Sequence, residues 1–374
     1  MPNDACLVCT ACRQTFPLDQ PRWKCDCGGL LDIRFAPAFG PSDVQGQKPT
    51  MWRYRQAIPL ADGADIVSFD EGFTPLLEVD FGGKTALIKQ DHLFPSGSYK
   101  DRGASVIISQ ARAMGVKAVV EDSSGNAGCA IAAYCARARI ACSIFVPADT
   151  AAAKLAQIQH YGSSLHRIPG SREDTASAVL TAAQTTYYAS HSWNPFFFHG
   201  TKTFAYEVCE QLGWKAPDAV ILPVGNGTLL LGVAIGFDEL LQAGIVSRIP
   251  RLIAVQAKNC APLAEAFRGG LNDPAELPTQ PTLGEGIAIA RPVRGRQILQ
   301  AVRRSGGAFL TVGEEEIVQS LRQMCSMGHY IEPTSAATTA GLAQYLRQCG
   351  GGEVVVSTFT GHGLKTTEKM LKLL

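Results

Sequence analysis

One lysine of this chain stands where covalent chemistry is possible. Lys100 follows a Gly/Ser turn at residues 95–98 and precedes residues 104–111, whose apolar spacing predicts a helix. A lysine amine at such a position can condense with an aldehyde. Most lysines are solvated surface charges, so this motif predicts a reactive amine only if other polar segments of the chain support it.

Two loops rich in Gly, Ser and Asn supply such segments. Residues 123–128 read Ser-Ser-Gly-Asn-Ala-Gly, residues 223–228 read Pro-Val-Gly-Asn-Gly-Thr, and each loop follows an apolar run. Because short hydroxyls and backbone N–H groups at a helix start bind anions, the first loop suits a carboxylate and the second a single phosphate. Each is equally compatible with a plain helix cap or turn. A reactive amine and two anion-binding loops are what an enzyme needs to hold pyridoxal 5′-phosphate (PLP).

A third polar turn, at residues 357–363, ends another apolar run. The hydroxyl of Thr360 in this turn can meet a ring nitrogen as an uncharged partner. His362 lies between two glycines, and we expect it to be a structural hydrogen-bonding residue rather than a catalytic base.

Five of the twelve cysteines lie in the first 27 residues. Cys9 with Cys12 and Cys25 with Cys27 form two close pairs, and four thiolates so arranged can bind a structural zinc ion. A metal-free segment is an equally open interpretation, and Cys6 is a fifth candidate. The other cysteines are scattered, several of them in apolar contexts, which is typical of buried free thiols in a reducing compartment.

The bulk composition excludes two classes of partner. The 374 residues carry a net charge of +1 without a long basic run, so the footprint of a nucleic-acid-binding protein is missing. No stretch reaches the roughly 18 uninterrupted apolar residues of a membrane span, and the N-terminus lacks the pattern of a signal peptide. We expect a cytoplasmic protein without nucleic-acid or membrane partners, with a length that suits about two domains.

Predicted strands and helices alternate through most of the chain, which favours parallel sheets covered by helices. Ligands of such sheets bind at the carboxyl ends of the strands, where the Gly-rich loops occur. We divide the chain into a Cys-rich, zinc-ribbon-like segment at residues 1–40, a first α/β domain at 41–205 with Lys100 and the asparagine loop, and a second α/β domain at 206–374 with the phosphate loop.

These motifs, taken in order, resemble the fold-type II PLP enzymes and most closely the threonine synthase family. Residues 71–76 resemble that family's Glu-Gly-Asn-Thr-Pro-Leu, and residues 95–103 resemble its Pro-Thr-Gly-Ser-Phe-Lys-Asp-Arg-Gly. Residues 360–365 read Thr-Gly-His-Gly-Leu-Lys, as the family's C-terminal motif does. The Cys-rich start is also similar to that of many bacterial members.

The resemblance implies a role for each site residue. Lys100 would hold PLP as a Schiff base and act as the catalytic base, and Thr360 would face the pyridine nitrogen. The cofactor phosphate would bind to Gly225, Asn226, Gly227, Thr228 and Leu229. The substrate carboxylate would bind to Ser123, Ser124, Asn126 and Ala127, and Asn126 would also face the 3-hydroxyl group of PLP.

The same resemblance implies the architecture. It implies an α/β fold of two open parallel-sheet αβα domains, of the tryptophan synthase β-like fold type II, with a small N-terminal Cys-rich ribbon. It also implies a homodimer that binds a small amino-acid substrate.

The implied activity is that of a PLP-dependent lyase, threonine synthase-like, which eliminates a β or γ leaving group such as the phosphate of O-phosphohomoserine. Phe197 stands where the family has an arginine for the substrate phosphate, and a phenyl ring cannot pair with that dianion. Residues 123–128 and 284–288 resemble dehydratase segments. A serine/threonine dehydratase, a diaminopropionate ammonia-lyase and a β-replacement enzyme therefore remain alternatives, as does a non-catalytic sensor of PLP or amino acids.

Overall fold

The structure is a computed structural model that describes residues 5–61, 63–150, 152–170 and 172–373. The described residues divide into two compact units. Unit 1 takes its residues from Met1–Phe39, Gly46–Gly72 and Lys100–Thr201. Unit 2 takes its residues from Gly40–Gln45, Phe73–Tyr99 and Lys202–Leu374.

This division differs from the predicted boundaries, most clearly in two segments. The segment Phe73–Tyr99 belongs to unit 2, although the sequence placed it in the first α/β domain. The Cys-rich segment belongs to unit 1 and is not a separate body. The first difference arises because two strands within Phe73–Tyr99 pair with the sheet of unit 2, which no local sequence pattern reveals.

The regular elements are numbered in chain order. The strands are β1 (Cys6–Cys9), β2 (Thr15–Pro17), β3 (Leu31–Arg34), β4 (Leu76–Asp80), β5 (Thr85–Lys89), β6 (Ala118–Glu121), β7 (Ala141–Pro147), β8 (Ser164–Ile168), β9 (Tyr187–Tyr188), β10 (Ala219–Pro223), β11 (Arg251–Ala257), β12 (Ala308–Val312) and β13 (Val355–Thr358). The α-helices are α1 (Lys100–Ala113), α2 (Asn126–Ala138), α3 (Ala152–His160), α4 (Arg172–Ala182), α5 (Pro195–Thr201), α6 (Thr203–Gln211), α7 (Thr228–Gln242), α8 (Pro262–Arg268), α9 (Gly295–Arg304), α10 (Glu314–Ser326), α11 (Pro333–Gln348) and α12 (Thr367–Leu373).

Unit 1 contains a parallel sheet and a small antiparallel one. The parallel sheet has the strand order β8-β7-β6-β9, and all of its pairs are parallel. The antiparallel sheet has the order β2-β1-β3 and forms the predicted ribbon, in which Leu7 and Leu31 are buried. Since β6, β7 and β8 are joined through helices, the loops after these strands leave from one edge of the sheet.

Unit 2 contains one six-stranded sheet in the order β12-β11-β10-β13-β5-β4. All neighbouring strands are parallel except β4 and β5, which form an antiparallel hairpin. The hairpin turn contains Gly82 and Gly83, both with positive φ, and so short a connection cannot join parallel strands. The predicted α/β fold with two open parallel sheets is confirmed, with one antiparallel strand at the edge of the second sheet.

Each unit has its own apolar core. In unit 1, α1 is buried from Asp101 to Ala111 and packs against α2 and α5. In unit 2, every residue of β10 is buried, and α11 packs on β10. Among the described residues, no helix is long and apolar enough to cross a lipid bilayer.

Candidate cofactor and substrate site

Lys100 is the first residue of α1 and is half-buried. The turn before it is held in place within unit 2. Gly97 has φ +83°, the backbone N–H of Tyr99 donates to the Thr360 carbonyl over 3.0 Å, and Ser98 forms an antiparallel bridge with Gly361. The buried hydroxyl of Ser98 has no hydrogen-bond partner among the described residues. The turn that ends at Tyr99 is therefore held by the segment that carries Thr360.

The predicted substrate loop lies between β6 and α2, at the carboxyl edge of the parallel sheet of unit 1. Ser123, Ser124 and Asn126 are half-buried, whereas Ala127 is buried. The hydroxyl of Ser123 accepts the N–H of Gly125 over 3.2 Å, which tightens the turn. The loop presents hydroxyls and the first backbone N–H groups of a 13-residue helix, a favourable setting for a carboxylate.

The predicted phosphate turn follows β10 and ends at the first residue of α7. A Cβ on Gly225 would lie 2.9 Å from the Gly286 carbonyl oxygen, and Gly227 has φ +68°, so both positions require glycine. Among the described residues, the backbone N–H groups of Gly225 and Gly227 donate to no acceptor of the chain. Thr228 holds the hydroxyl of Tyr99 at 2.8 Å. This cradle of N–H groups at a helix start fits a phosphate, and Leu229 continues the helix as a buried residue.

Thr360 lies in a buried network of hydroxyl and carboxylate groups in unit 2. The Ser335 hydroxyl oxygen accepts the N–H groups of Thr360 and Gly361, over 2.8 and 3.3 Å, so its hydrogen is directed to the Thr360 hydroxyl at 2.9 Å. The Thr360 hydroxyl in turn donates to Oε1 of Glu332 over 2.8 Å. Thr360 Oγ1 therefore keeps one acceptor lone pair for a further partner.

His362 has the structural role that the sequence predicted. It caps the short 3-10 helix Gly363–Thr366, and its Nδ1 accepts the N–H of Leu364 over 3.2 Å. This bond fixes the turn after Thr360.

The four cysteines converge in the ribbon of unit 1. The ligand sulfurs of Cys9, Cys12, Cys25 and Cys27 lie within 4.8 Å of one another. A Cβ on Gly29 would lie 2.8 Å from Sγ of Cys9, so glycine leaves room for the thiol cluster. Burial raises the pKa of Cys9, but hydrogen bonds from the backbone N–H groups of Cys12 and Ala11 and from the thiols of Cys12 and Cys27 together lower it to about 6. The donor set and its closeness fit a tetrahedral zinc ion.

Phe197 does not face an open substrate position in unit 1. Its side chain is fully buried in the core of unit 1, and its ring lies against Gly103, where any Cβ would overlap it. The ring thus fills the contact between α5 and α1. Lys202, a nearby cation in the sequence, is buried in unit 2 and bonds to Glu239 over 2.8 Å, and burial lowers its pKa.

Sequence reasoning missed three polar residues next to the predicted site residues. Glu332 supports Thr360, as described above. Glu121 ends β6 immediately before the substrate loop, and His191 bonds to it. An acidic residue as the last residue of an apolar strand was the signal for Glu121, whereas His191 follows a strand of only two residues and gave none.

Comparison with known proteins identifies the class of protein to which this chain belongs. The sequence model of the family described as "Pyridoxal-phosphate dependent enzyme" matches residues 67–361, and the chain belongs to this family. Structures of similar fold include threonine deaminase isoform 2 from Solanum lycopersicum (TM-score 0.71, 20% identity, 91% of this chain and 90% of that chain). Maize serine racemase is also similar (TM-score 0.67, 21% identity, 80% and 93%). At these identities the likeness concerns the fold alone.

Sequence relatives narrow the class to threonine synthase-like lyases. The chain is 34% identical to the threonine synthase of Methanocaldococcus jannaschii, over 97% of this chain and 94% of the relative. It is 32% identical to that of Methanosarcina acetivorans (98% and 93%) and 34% identical to that of Mycobacterium tuberculosis (85% and 89%). The protein is a PLP-dependent lyase of fold type II, and the predicted enzyme class and cofactor are confirmed.

Proposed function

We propose that this enzyme converts O-phosphohomoserine to threonine, with loss of phosphate from the γ-carbon and addition of water at the β-carbon. The observation that carries the proposal is the 34% identity to a threonine synthase over 97% of the chain. Such coverage includes the Lys100 turn, the substrate loop and the phosphate turn together. The likeness therefore spans these three segments, whereas Phe197 departs from the family at the position of an arginine.

Each site residue has a task in this proposal. The bound PLP supplies an electron sink for the substrate α-carbon. Lys100 would hold the cofactor, and its free amine would take the α-proton of the substrate. The backbone N–H groups of Gly225, Asn226, Gly227, Thr228 and Leu229 hold the cofactor phosphate. The substrate carboxylate is bound by Ser123, Ser124, Asn126 and Ala127, and Asn126 also orients the 3-hydroxyl group of the cofactor.

The network around Thr360 sets which proton faces the cofactor ring. The Thr360 hydroxyl donates to Oε1 of Glu332, so Oγ1 would meet the cofactor ring with a lone pair, as an uncharged partner. Glu332 thus acts through Thr360 as a positioning residue.

A serine/threonine dehydratase is the second candidate. The observation that favours it is the burial of Phe197, because a core phenyl ring supplies no cation for a substrate phosphate. The Ser-Ser-Gly-Asn loop at residues 123–126 suits either substrate, since both carry the same α-carboxylate.

The two candidates differ in product. Purified enzyme given O-phosphohomoserine is expected to release phosphate and threonine in equal amounts, and to form keto acid from serine or threonine at less than about one-hundredth of that kcat/KM. Phosphate and keto acid are measured by colorimetric assays, and threonine by chromatography. The proposal fails if keto acid from serine, threonine or diaminopropionate exceeds phosphate release. A spectral shift with amino acids but no turnover would indicate a sensor.

We propose that the ribbon cysteines hold one structural zinc ion. Purified protein is expected to contain about one equivalent of zinc by elemental analysis, and Cys12→Ser or Cys27→Ser to lose it. Cys6→Ser is the matched control, because Cys6 lies in β1 outside the cluster of four sulfurs and should leave zinc unchanged. Wild-type protein free of zinc after purification without chelators would contradict this site.

We also propose that the enzyme is a cytoplasmic homodimer. The dimer is expected from the family resemblance alone. Light scattering of the purified protein measures its oligomeric state. A monomer at micromolar concentration would contradict it.

A further inference from the structure

Unit 1 buries an acidic side chain that the proposed mechanism does not use. Glu121 ends β6, and its side chain is fully buried. Its Oε1 lies 2.6 Å from Nδ1 of His191, and its Oε2 has no hydrogen-bond partner among the described residues. A buried carboxyl group with an unused oxygen is unfavourable for stability, so it marks a candidate functional group.

The pair lies beside the proposed substrate loop. β6 and β9 are parallel neighbours, with Val120 opposite Tyr188, so the loops that follow them leave the same edge of the sheet. The loop after β6 begins with Asp122 and carries Ser123, and the loop after β9 carries His191. The pair therefore stands at the carboxyl edge, where parallel sheets bind ligands.

Burial and a neighbouring carboxylate favour the protonated form of Glu121. Burial, and then the neighbouring Asp122, raise the pKa of Glu121 well above its usual value, while the positive charge of Lys100 opposes them. Asp122 accepts the hydroxyl of Tyr188 over 2.7 Å and so remains close by. A short bond from a ring nitrogen to this carboxyl shares one dissociable proton between two groups.

We propose that His191, oriented by Glu121, is the acid that protonates the leaving group of the substrate. The inference rests on the proposed lyase function and narrows its substrate class to amino acids whose leaving group departs through oxygen, as phosphate or hydroxyl. Nδ1 is engaged by Glu121, and Nε2 is the nitrogen that delivers the proton. The ring edge rests against Phe197, with ring centroids 6.2 Å apart, which restricts its rotation.

The proton transfer balances within the active site. The bond between the substrate carbon and the leaving oxygen breaks, and both electrons stay on oxygen. The proton on Nε2 passes to that oxygen, which leaves a neutral imidazole still bonded to Glu121. The imidazole then takes a proton from water before the next turnover.

The test compares leaving groups that differ in their need for a proton. β-Chloro-L-alanine releases chloride, which needs none, whereas L-serine and O-phosphohomoserine release oxygen. In His191→Asn and Glu121→Gln, kcat/KM for the oxygen substrate that wild type prefers is expected to fall about 10²-fold or more. For β-chloro-L-alanine the fall is expected to stay within about 5-fold, because no acid is needed.

His166→Asn is the matched control. It removes a histidine from β8 of the same sheet, where the ring stacks on Phe145 and touches neither member of the pair. The control is expected to match wild type with both substrates. An equal loss with chloride and oxygen substrates in the pair variants would overturn the proposal, as would a wild-type enzyme that accepts only the chloride.

A second readout does not depend on catalysis. Proton NMR of the cofactor-free protein is expected to show a low-field ring N–H resonance from the short bond of His191. The resonance should vanish in His191→Asn and Glu121→Gln and persist in His166→Asn. Its persistence in either pair variant, or its absence from wild type, would overturn the proposal. If His191→Asn fails to fold, Glu121→Gln still tests the proposal, because it preserves the shape of the buried side chain.

Failure of the proposed function gives a different result. An enzyme that eliminates water from L-serine but releases no phosphate from O-phosphohomoserine would contradict the threonine synthase proposal. The same enzyme would still support the role of His191 if His191→Asn and Glu121→Gln lose kcat/KM for L-serine but keep it for β-chloro-L-alanine.

Discussion

The Lys100→Ala enzyme is expected to lose at least about 10³-fold in kcat/KM on every substrate that wild type accepts. The variant removes both the amine that attaches the cofactor and the base that takes the α-proton. No other lysine replaces it: Lys202, for example, is tied to Glu239 in the buried core of unit 2. Kinetic assays with added PLP measure the effect, so that weak cofactor binding is not mistaken for loss of chemistry.

Lys117→Ala is the matched control for that variant. Lys117 is exposed and precedes β6 of the same unit, so its removal should change kcat/KM by less than about 2-fold. A Lys100→Ala enzyme with more than a tenth of wild-type activity would contradict the assignment of Lys100 as the covalent and basic group.

Phe197→Arg is expected to destabilise the protein by about 3 kcal/mol or more. The ring fills the contact between α5 and α1 against Gly103, so a guanidinium there would be buried without a charged partner. The variant is therefore not expected to gain phosphate binding, although the family resemblance places an arginine at this position. Urea unfolding of the purified protein measures the loss.

Phe197→Leu distinguishes the effect of lost packing on stability from the effect of a buried charge. A smaller apolar side chain leaves a cavity but buries no charge, so the expected loss in unfolding free energy is about half as large or less. A stable Phe197→Arg protein with improved KM for O-phosphohomoserine would show that the side chain at this position turns toward the substrate, contrary to its burial in the core.

The local backbone around the predicted site residues could be predicted from the sequence. Lys100, the substrate loop and the phosphate turn each sit where a strand or turn meets a helix, and such junctions are visible in apolar spacing and glycine placement. The sequence pattern predicts strands at residues 218–224 and 308–312 and a helix at 229–242, and β10, β12 and α7 begin and end within a residue or two of these bounds.

Long-range pairing was the part that could not be predicted. The antiparallel hairpin of β4 and β5 joins the sheet of unit 2 by pairing with β13, more than 250 residues further along the chain. The sequence pattern predicts a helix at residues 201–212, which the structure has as α6, but it does not predict the separate helix α5 before it. The aromatic run in α5 meets α1 only in the folded core, so sequence reasoning took Phe197 for a substrate position.

Buried charged groups were missed for a related reason. Glu121, Glu207 and Glu332 are charged residues that sequence patterns assign to the surface, yet each is buried against a specific partner. Glu207, for example, pairs with Lys89 at 2.7 Å inside unit 2. Such partners are distant in sequence, and only the folded chain brings them together.

The most direct test of the account is to find where the cofactor is attached. Wild-type enzyme loaded with PLP is reduced with borohydride, digested, and analysed by mass spectrometry. The account predicts that the reduced cofactor is found on the peptide that contains Lys100 and on no other lysine. Label on a different lysine, or no label on protein that has taken up PLP, would contradict it.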